Sequence, residues 1–238
     1  MKFDFKNKNI LITGASRGIG KSIAKEFHKL GANILGTSTT KSLKKNRFEL
    51  IKVNFFNKKE LKIFCDYLKN KKIDILINNA GINKISSIEN ININDVRNIL
   101  YINLEIPTLI TSIVSKNMIK KKNGKIINIS SIFGLISKEK RSSYSSSKFG
   151  ILGLTKSSAL DLANKNILIN SISPGFIDTD LTRKILKISG MKKIAKTIPM
   201  RRLGDIKEVA NLSIFLASNY NTYITGQNIV IDGGFTIK

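Results

Sequence analysis

The chain has 238 residues, 42% hydrophobic and 24% charged, which supports a sizeable core and excludes a disordered chain. One cysteine, Cys65, and one histidine, His28, exclude an internal disulfide and a Cys/His metal cluster. The formal charge of +25 would attract nucleic acid or an acidic partner. However, the lysines are spread along the chain among many Asn and Ile, the pattern of A/T-rich codons, and no zinc-finger spacing, RNP motif or aromatic-basic stripe joins them. Nucleic acid is therefore not expected as a partner. Cys65, in KIFCDYL, reads as a small buried hydrophobe.

NILIT (9–13) is a short apolar strand that runs into a glycine-rich turn. KSIAKEFHKL (21–30) has helical periodicity, with Ile23, Ala24, Phe27 and Leu30 on one face. NILGT (33–37) and ELIKVNF (49–55) are the second and third strands, followed by a helix over 60–70. IDILINNAG (73–81) is a fourth strand ending in a turn. Residues 94–121 are a long helical region in which Pro107 predicts a break or kink near the preceding residues. KIINISS (125–131) is the fifth strand, 142–164 a long helix, and ILINSISPG (167–175) the sixth strand. Residues 178–200 are polar and helical, 205–218 another helix, and QNIVIDG (227–233) the last strand.

Apolar strands alternating with helices predict an α/β fold with a parallel sheet covered on both faces. No linker, repeat or low-complexity tract divides the chain, so one doubly wound domain is expected over 1–238. The N-terminal residues lack the apolar core of a signal peptide. No apolar run approaches the roughly 18 residues of a membrane span. A cytoplasmic protein with no membrane partner is the expectation.

TGASRGIG (13–20) places Gly14, Gly18 and Gly20 where the first strand gives way to a helix. Glycine lets the backbone approach a phosphate, and the helix start offers unpaired N–H groups. An acid after the second strand would bind a ribose 2′-hydroxyl, but GTSTTKS (36–42) has none. Arg17, Ser38, Thr39 and Lys41 could instead hold a 2′-phosphate. The expected cofactor is therefore NADP(H) in preference to NAD(H).

With these come NNAG (78–81), YIN (101–103), NISS (128–131), YSSSK (144–148), SPG with Thr179 after it, and ITGQNIVIDGG (224–234). Together, in this order and spacing, the chain resembles the short-chain dehydrogenase/reductase family over almost its full length. The resemblance implies a Rossmann domain with a seven-stranded parallel sheet, as a homotetramer. It implies four catalytic residues: Asn103, Ser131, Tyr144 and Lys148. In that reading Tyr144 donates the proton that follows hydride to a carbonyl. Lys148 lowers the tyrosine's pKa, Ser131 holds the substrate oxygen, and Asn103 shapes a helix irregularity and holds a relay water. Ser145, Ser146 and Ser147 are read as packing or solvent-facing residues. The cofactor contacts implied are Gly14, Ser16, Arg17, Gly18, Ile19, Gly20, Ser38, Thr39, Asn54, Asn79, Ala80, Gly81, Tyr144, Lys148, Pro174, Gly175, Ile177 and Thr179.

Within the family, TGASRGIG, PGFIDTDLTRK, RLGD and YITGQ look most like the 3-oxoacyl-acyl-carrier-protein reductases of fatty acid synthesis. That implies a carrier-protein-bound substrate, with Lys122 and Lys165 as candidate docking cations. LISKEKRSSY (135–144) and INKISSIENIN (82–92) depart from that pattern. They keep open a sugar dehydrogenase of surface polysaccharide synthesis, in which Arg141 and Lys138 would bind a phosphate or carboxylate. A non-catalytic dinucleotide- or nucleic-acid-binding protein is the third reading.

Overall fold

The structure, a computed structural model, describes residues 2–40 and 48–237. Its main strands are β1 (Asn9–Ile12), β2 (Asn33–Ser38), β3 (Glu49–Lys52), β4 (Ile75–Asn78), β5 (Gly124–Ile129) and β6 (Ile167–Pro174). A two-stranded pair, β7 (Ile177–Asp178) with β8 (Gly204–Asp205), and a last long strand, β9 (Asn228–Ile231), complete the set. Seven of these form one sheet in the order β3-β2-β1-β4-β5-β6-β9, and every neighbouring pair is parallel. The expected seven-stranded parallel sheet is thus present.

Alternate residues of each central strand enter different cores. Ile10, Ile12, Ile75, Ile77, Ile127 and Ile129 face one side, where α1 (Gly18–Lys29) and α7 (Ile206–Ala217) cover them with Phe27, Val209 and Ile214. Leu11, Leu76, Ile126, Ile167 and Ile169 face the other. There α2 (Lys58–Lys69), α4 (Ile106–Lys121) and α5 (Ser142–Leu162) cover them with Phe64, Leu68, Ile110 and Met118. Strands buried on both faces need apolar side chains at every position, which is why they read as continuous runs. Cys65 is half-buried at the edge of the second core, less enclosed than expected.

The chain leaves β1 for β2 and β3 on one side, then returns to β4 on the other side of β1. A crevice opens at the carboxyl ends of β1 and β4, where ligands bind in such sheets.

Three departures from the sequence reading matter here. The third and fourth strands stop early, at Lys52 and Asn78, because the residues beyond them form the wall of this crevice. The region 94–121 is α3 (Ile93–Leu100), a π-helical turn Tyr101–Glu105, and α4 with Pro107 in its first turn, so the irregular turn falls just before the proline, which lacks an N–H to donate. As one helical run, Ile93–Lys121 is long and apolar enough to cross a membrane by length and composition, contrary to the expectation. Its apolar side chains Ile106, Ile110, Ile113, Val114 and Met118 are spent on the core. The segment 178–200 is α6 (Asp180–Thr197), interrupted at Lys187, whose φ of 53° and ψ of 175° leave the helix.

Candidate active site

The glycine turn closes on itself. Gly14 (φ +69°) and Gly18 (φ +55°) take left-handed conformations that side chains disfavour. The Gly14 N–H donates to Thr37 Oγ1 at 3.0 Å. Thr13 Oγ1 accepts from the N–H groups of Asn79 (2.9 Å) and Ala80 (3.0 Å). Asn79 Nδ2 donates to the carbonyls of Thr13 and Gly14, both at 3.0 Å. A side chain on Gly20 would collide with the Gly14 carbonyl and the Asn79 amide. The start of α1 has no side-chain cap and no acid in its first turn, so its N–H groups remain available to an anion.

This turn forms one wall of a cleft of about 290 Å³. Of the residues named from the sequence, Gly14, Ser16, Arg17, Gly18, Ile19, Gly20, Ser38, Thr39, Asn54, Asn79, Ala80, Gly81 and Thr179 line it. The cradle fits a dinucleotide: the glycines allow close approach, the α1 start suits phosphates, and no carboxylate ends β2. Phe56, stacked on Tyr101 at 5.8 Å and 25°, lines it as well. Residue type by itself gave no pointer to Phe56. Its place just after the third strand could have.

Five of the residues named as cofactor contacts, Pro174, Gly175, Ile177, Tyr144 and Lys148, stand outside this lining. Gly175 packs on Asp232, where an added Cβ would meet the Asp232 Cβ at 2.7 Å. Pro174 is a buried residue of β6 paired with Ile231, and Ile177 is buried in the core. None of the three lines the cleft. Asn79 lines it, but its amide is committed to the turn carbonyls. Lys41 lies outside the described residues. Lys122 precedes β5 and Lys165 precedes β6, and Asn166 Nδ2 donates to the Lys122 carbonyl at 3.1 Å. Both lysines therefore stand at the amino edge of the parallel sheet, opposite the cleft.

The four residues of the implied catalytic set come together at the carboxyl edge. Ser131 follows β5. Tyr144 and Lys148 lie one turn apart on α5, and Asn103 sits in the π-helical turn. The Ser131 side chain stands near enough to the Tyr144 phenol to favour its charged form, and its Oγ accepts from the Phe133 N–H at 3.2 Å. Lys148, 4% exposed, donates from Nζ to the Ile129 carbonyl at 2.8 Å. Asn103 Oδ1 accepts from the Ile82 N–H (2.8 Å), and its Nδ2 donates to the Ile82 carbonyl (2.9 Å) and to Ser147 Oγ (3.0 Å). Ser147 Oγ donates in turn to the Tyr144 carbonyl at 2.7 Å. Ser147, read as a packing residue, thus ties Asn103 to the helix that carries Tyr144. A methyl on Gly81 would stand 3.4 Å from Asn103 Oδ1 and 3.8 Å from Lys148 Nζ, so the set adjoins the cleft.

The electrostatics differ from the expectation. Burial, the largest influence, raises the Tyr144 pKa, and the opposing influences are the nearby Ser131 side chain and the Arg141 charge. Lys148 stands one helical turn beyond Tyr144. Its Nζ is turned to a backbone carbonyl and lies 5.7 Å from the centre of the Tyr144 ring. Burial drives the Lys148 pKa from 10.5 to about 8.

A family model described as enoyl-(acyl carrier protein) reductase matches residues 14–236. The chain is 40% identical over 240 residues to the 3-oxoacyl-acyl-carrier-protein reductase of Buchnera aphidicola subsp. Schizaphis graminum, covering 96% of this chain and 97% of that one. It is 34% identical over 247 residues to the protein of that name from Aquifex aeolicus, covering 98% and 99%. Among solved structures it is similar to the aldohexose dehydrogenase of Thermoplasma acidophilum, with TM-score 0.91, 32% identity, and 98% and 95% of the two chains covered. It is also similar to ElxO with NADP bound, with TM-score 0.90, 31% identity, and 98% and 100% covered. A glycine cradle at the switch point, a Ser–Tyr–Lys–Asn group beside it and these full-length likenesses agree: the chain belongs to the short-chain dehydrogenase/reductase family, as an NAD(P)-dependent oxidoreductase.

Proposed function

We propose that this protein is an NADPH-dependent 3-oxoacyl-acyl-carrier-protein reductase, one domain over residues 1–238 that works in the cytoplasm as a homotetramer. The observation that carries the reading is the grouping of Tyr144, Ser131 and buried Lys148 at the edge of a cleft fitted to a dinucleotide. The full-length likeness to reductases of that name supplies the substrate class.

When bound, the nicotinamide supplies the hydride that reduces the carbonyl carbon. Tyr144 supplies the proton that the carbonyl oxygen then needs, and its raised pKa keeps the phenol protonated at neutral pH. The Ser131 hydroxyl is a second donor to that oxygen. Lys148, with its pKa near 8, is mostly protonated at pH 7 and stands next in line to reprotonate Tyr144. Asn103 positions both by bonding the chain after Gly81 to α5 through Ser147. Arg17, Ser38 and Thr39 hold the 2′-phosphate, since no carboxylate stands at the end of β2 to repel it. The positive field of the chain speeds encounter with an acidic carrier. Phe149 and Leu160, exposed on α5, are apolar surface that a subunit contact would cover.

The test is acetoacetyl-acyl-carrier-protein reduction with each cofactor. We expect turnover with NADPH and a kcat/KM at least about tenfold lower with NADH. No turnover of any acetoacetyl thioester would overturn the substrate, and a preference for NADH would overturn the cofactor. The likeness to an aldohexose dehydrogenase favours sugar oxidation as a second reading, which aldose-dependent reduction of NADP would reveal. Light scattering at the mass of four chains tests the tetramer.

A further inference from the structure

Arg141 is the N-cap residue of α5, three residues before Tyr144. Its carbonyl accepts from the Ser145 N–H at 2.7 Å, which fixes its backbone against the first turn of the helix. Its guanidinium is half-buried, 5.9 Å over the centre of the Phe133 ring. Phe133 meets Phe176 edge-on at 6.3 Å, and Phe176 meets Phe235 edge-on at 5.2 Å. The three rings make an apolar row that starts in the turn after Ser131, and Arg141 caps its end beside Tyr144.

No carboxylate pairs with Arg141 among the described residues. Other arginines contrast with it: Arg183 grips Asp178, and Arg202 grips Glu208, each through two hydrogen bonds. Burial disfavours the Arg141 charge, and Tyr144 acts in the opposite direction, so the two side chains share one electrostatic environment. A desolvated guanidinium without an acceptor is costly. Its rigid fork of five donors suits an oxygen brought in from outside.

We infer that Arg141 sets substrate specificity by donating hydrogen bonds to a second substrate oxygen, two carbons from the carbonyl protonated by Tyr144, with the rest of the substrate along the Phe133–Phe176–Phe235 row. The N-cap side chain and that of the third helical residue, here Tyr144, are neighbours at a helix start, a placement suited to oxygens on alternate carbons. The inference rests on the reductase reading, in which the second oxygen is the thioester carbonyl.

The experiment compares acetoacetyl-CoA, 2,4-pentanedione and 2-pentanone on wild type, Arg141→Ala and Arg141→Gln. The last two substrates differ only in the second oxygen. Losing a hydrogen bond from a charged donor lowers kcat/KM by roughly 10–100-fold. We expect that loss in Arg141→Ala for acetoacetyl-CoA and 2,4-pentanedione, mainly through KM, on top of any change in 2-pentanone turnover, which reads the loss of the Arg141 charge beside Tyr144 alone. Arg141→Gln keeps a neutral donor and recovers part of the loss. Equal losses on all three substrates, or none, would overturn the inference. If wild type ignores acetoacetyl-CoA and the Arg141-dependent gap between the two ketones persists, the thioester reading fails and this inference stands.

Discussion

At the glycine turn, polar groups are matched within the chain: Asn79 Nδ2 holds two loop carbonyls, and Thr13 Oγ1 takes two backbone N–H groups. Around Tyr144 the matching is incomplete. Lys148 is a buried cation held by one carbonyl, and Arg141 is half-buried with no carboxylate beside it. The first region is a finished mould for a ligand whose phosphates meet backbone. The second holds charge at a cost, and substrate and cofactor complete it. The contrast teaches that rigidity and reactivity are segregated along one cleft: backbone builds the mould, and desolvated side chains carry the chemistry.

The strongest way to break the contrast is Tyr144→Phe. We expect kcat to fall about 10³-fold with the NADPH Kd, read by fluorescence titration, within twofold; a parallel loss of binding would show that the two regions are not separable. The same phenol sets the pH behaviour. Burial raises its pKa, and alcohol oxidation needs the phenolate, so that rate climbs with pH towards the phenol pKa. Carbonyl reduction uses the protonated form and stays level from about pH 6 to 8.

Gly20→Ala probes the mould. The new methyl meets the Gly14 carbonyl and the Asn79 amide, so we expect the NADPH Kd to rise more than about tenfold and stability to fall by roughly 1–3 kcal/mol. Thermal melts and titration check both, and kcat at saturating cofactor should survive.

Lys148→Met tests whether the reactive region is held at a cost. The folded-state pKa of about 8 lies below the unfolded 10.5. Between these values the unfolded chain binds more protons, so wild-type stability rises with pH across about 8 to 10.5. The variant should lose that slope and be more stable at pH 7 by on the order of 1–3 kcal/mol, while turnover falls. Denaturant melts at several pH values decide it.

The smallest effect is expected remote from both regions. Glu208, gripped by Arg202, has its pKa lowered from 4.5 to about 2, so its contribution is present above about pH 4.5 and is lost as pH falls towards 2. Both side chains are more than a third exposed, so Glu208→Gln should cost only about 0.5 kcal/mol at pH 7, read by the same melts.

The sequence by itself determined the sheet, the glycine turn and the edge at which Ser131 and Asn79 stand, and the family resemblance added Asn103, Tyr144 and Lys148 to that edge. The first three follow from local rules: apolar runs buried on both faces, glycines at left-handed φ, and strand ends that parallel topology brings to the same side. Even the break in the helix before Pro107 was legible, though not its π-helical form. Only the tertiary structure decided where each side chain spends its hydrogen bonds. Lys148 Nζ turns to the Ile129 carbonyl, Ser147 links Asn103 to Tyr144, Ile177 enters the core, and Arg141 lies over the Phe133 ring beside Tyr144. Burial and orientation depend on residues far apart in the chain. Residue type and spacing can place a group at an edge, but the atoms packed around it set its charge and its partner.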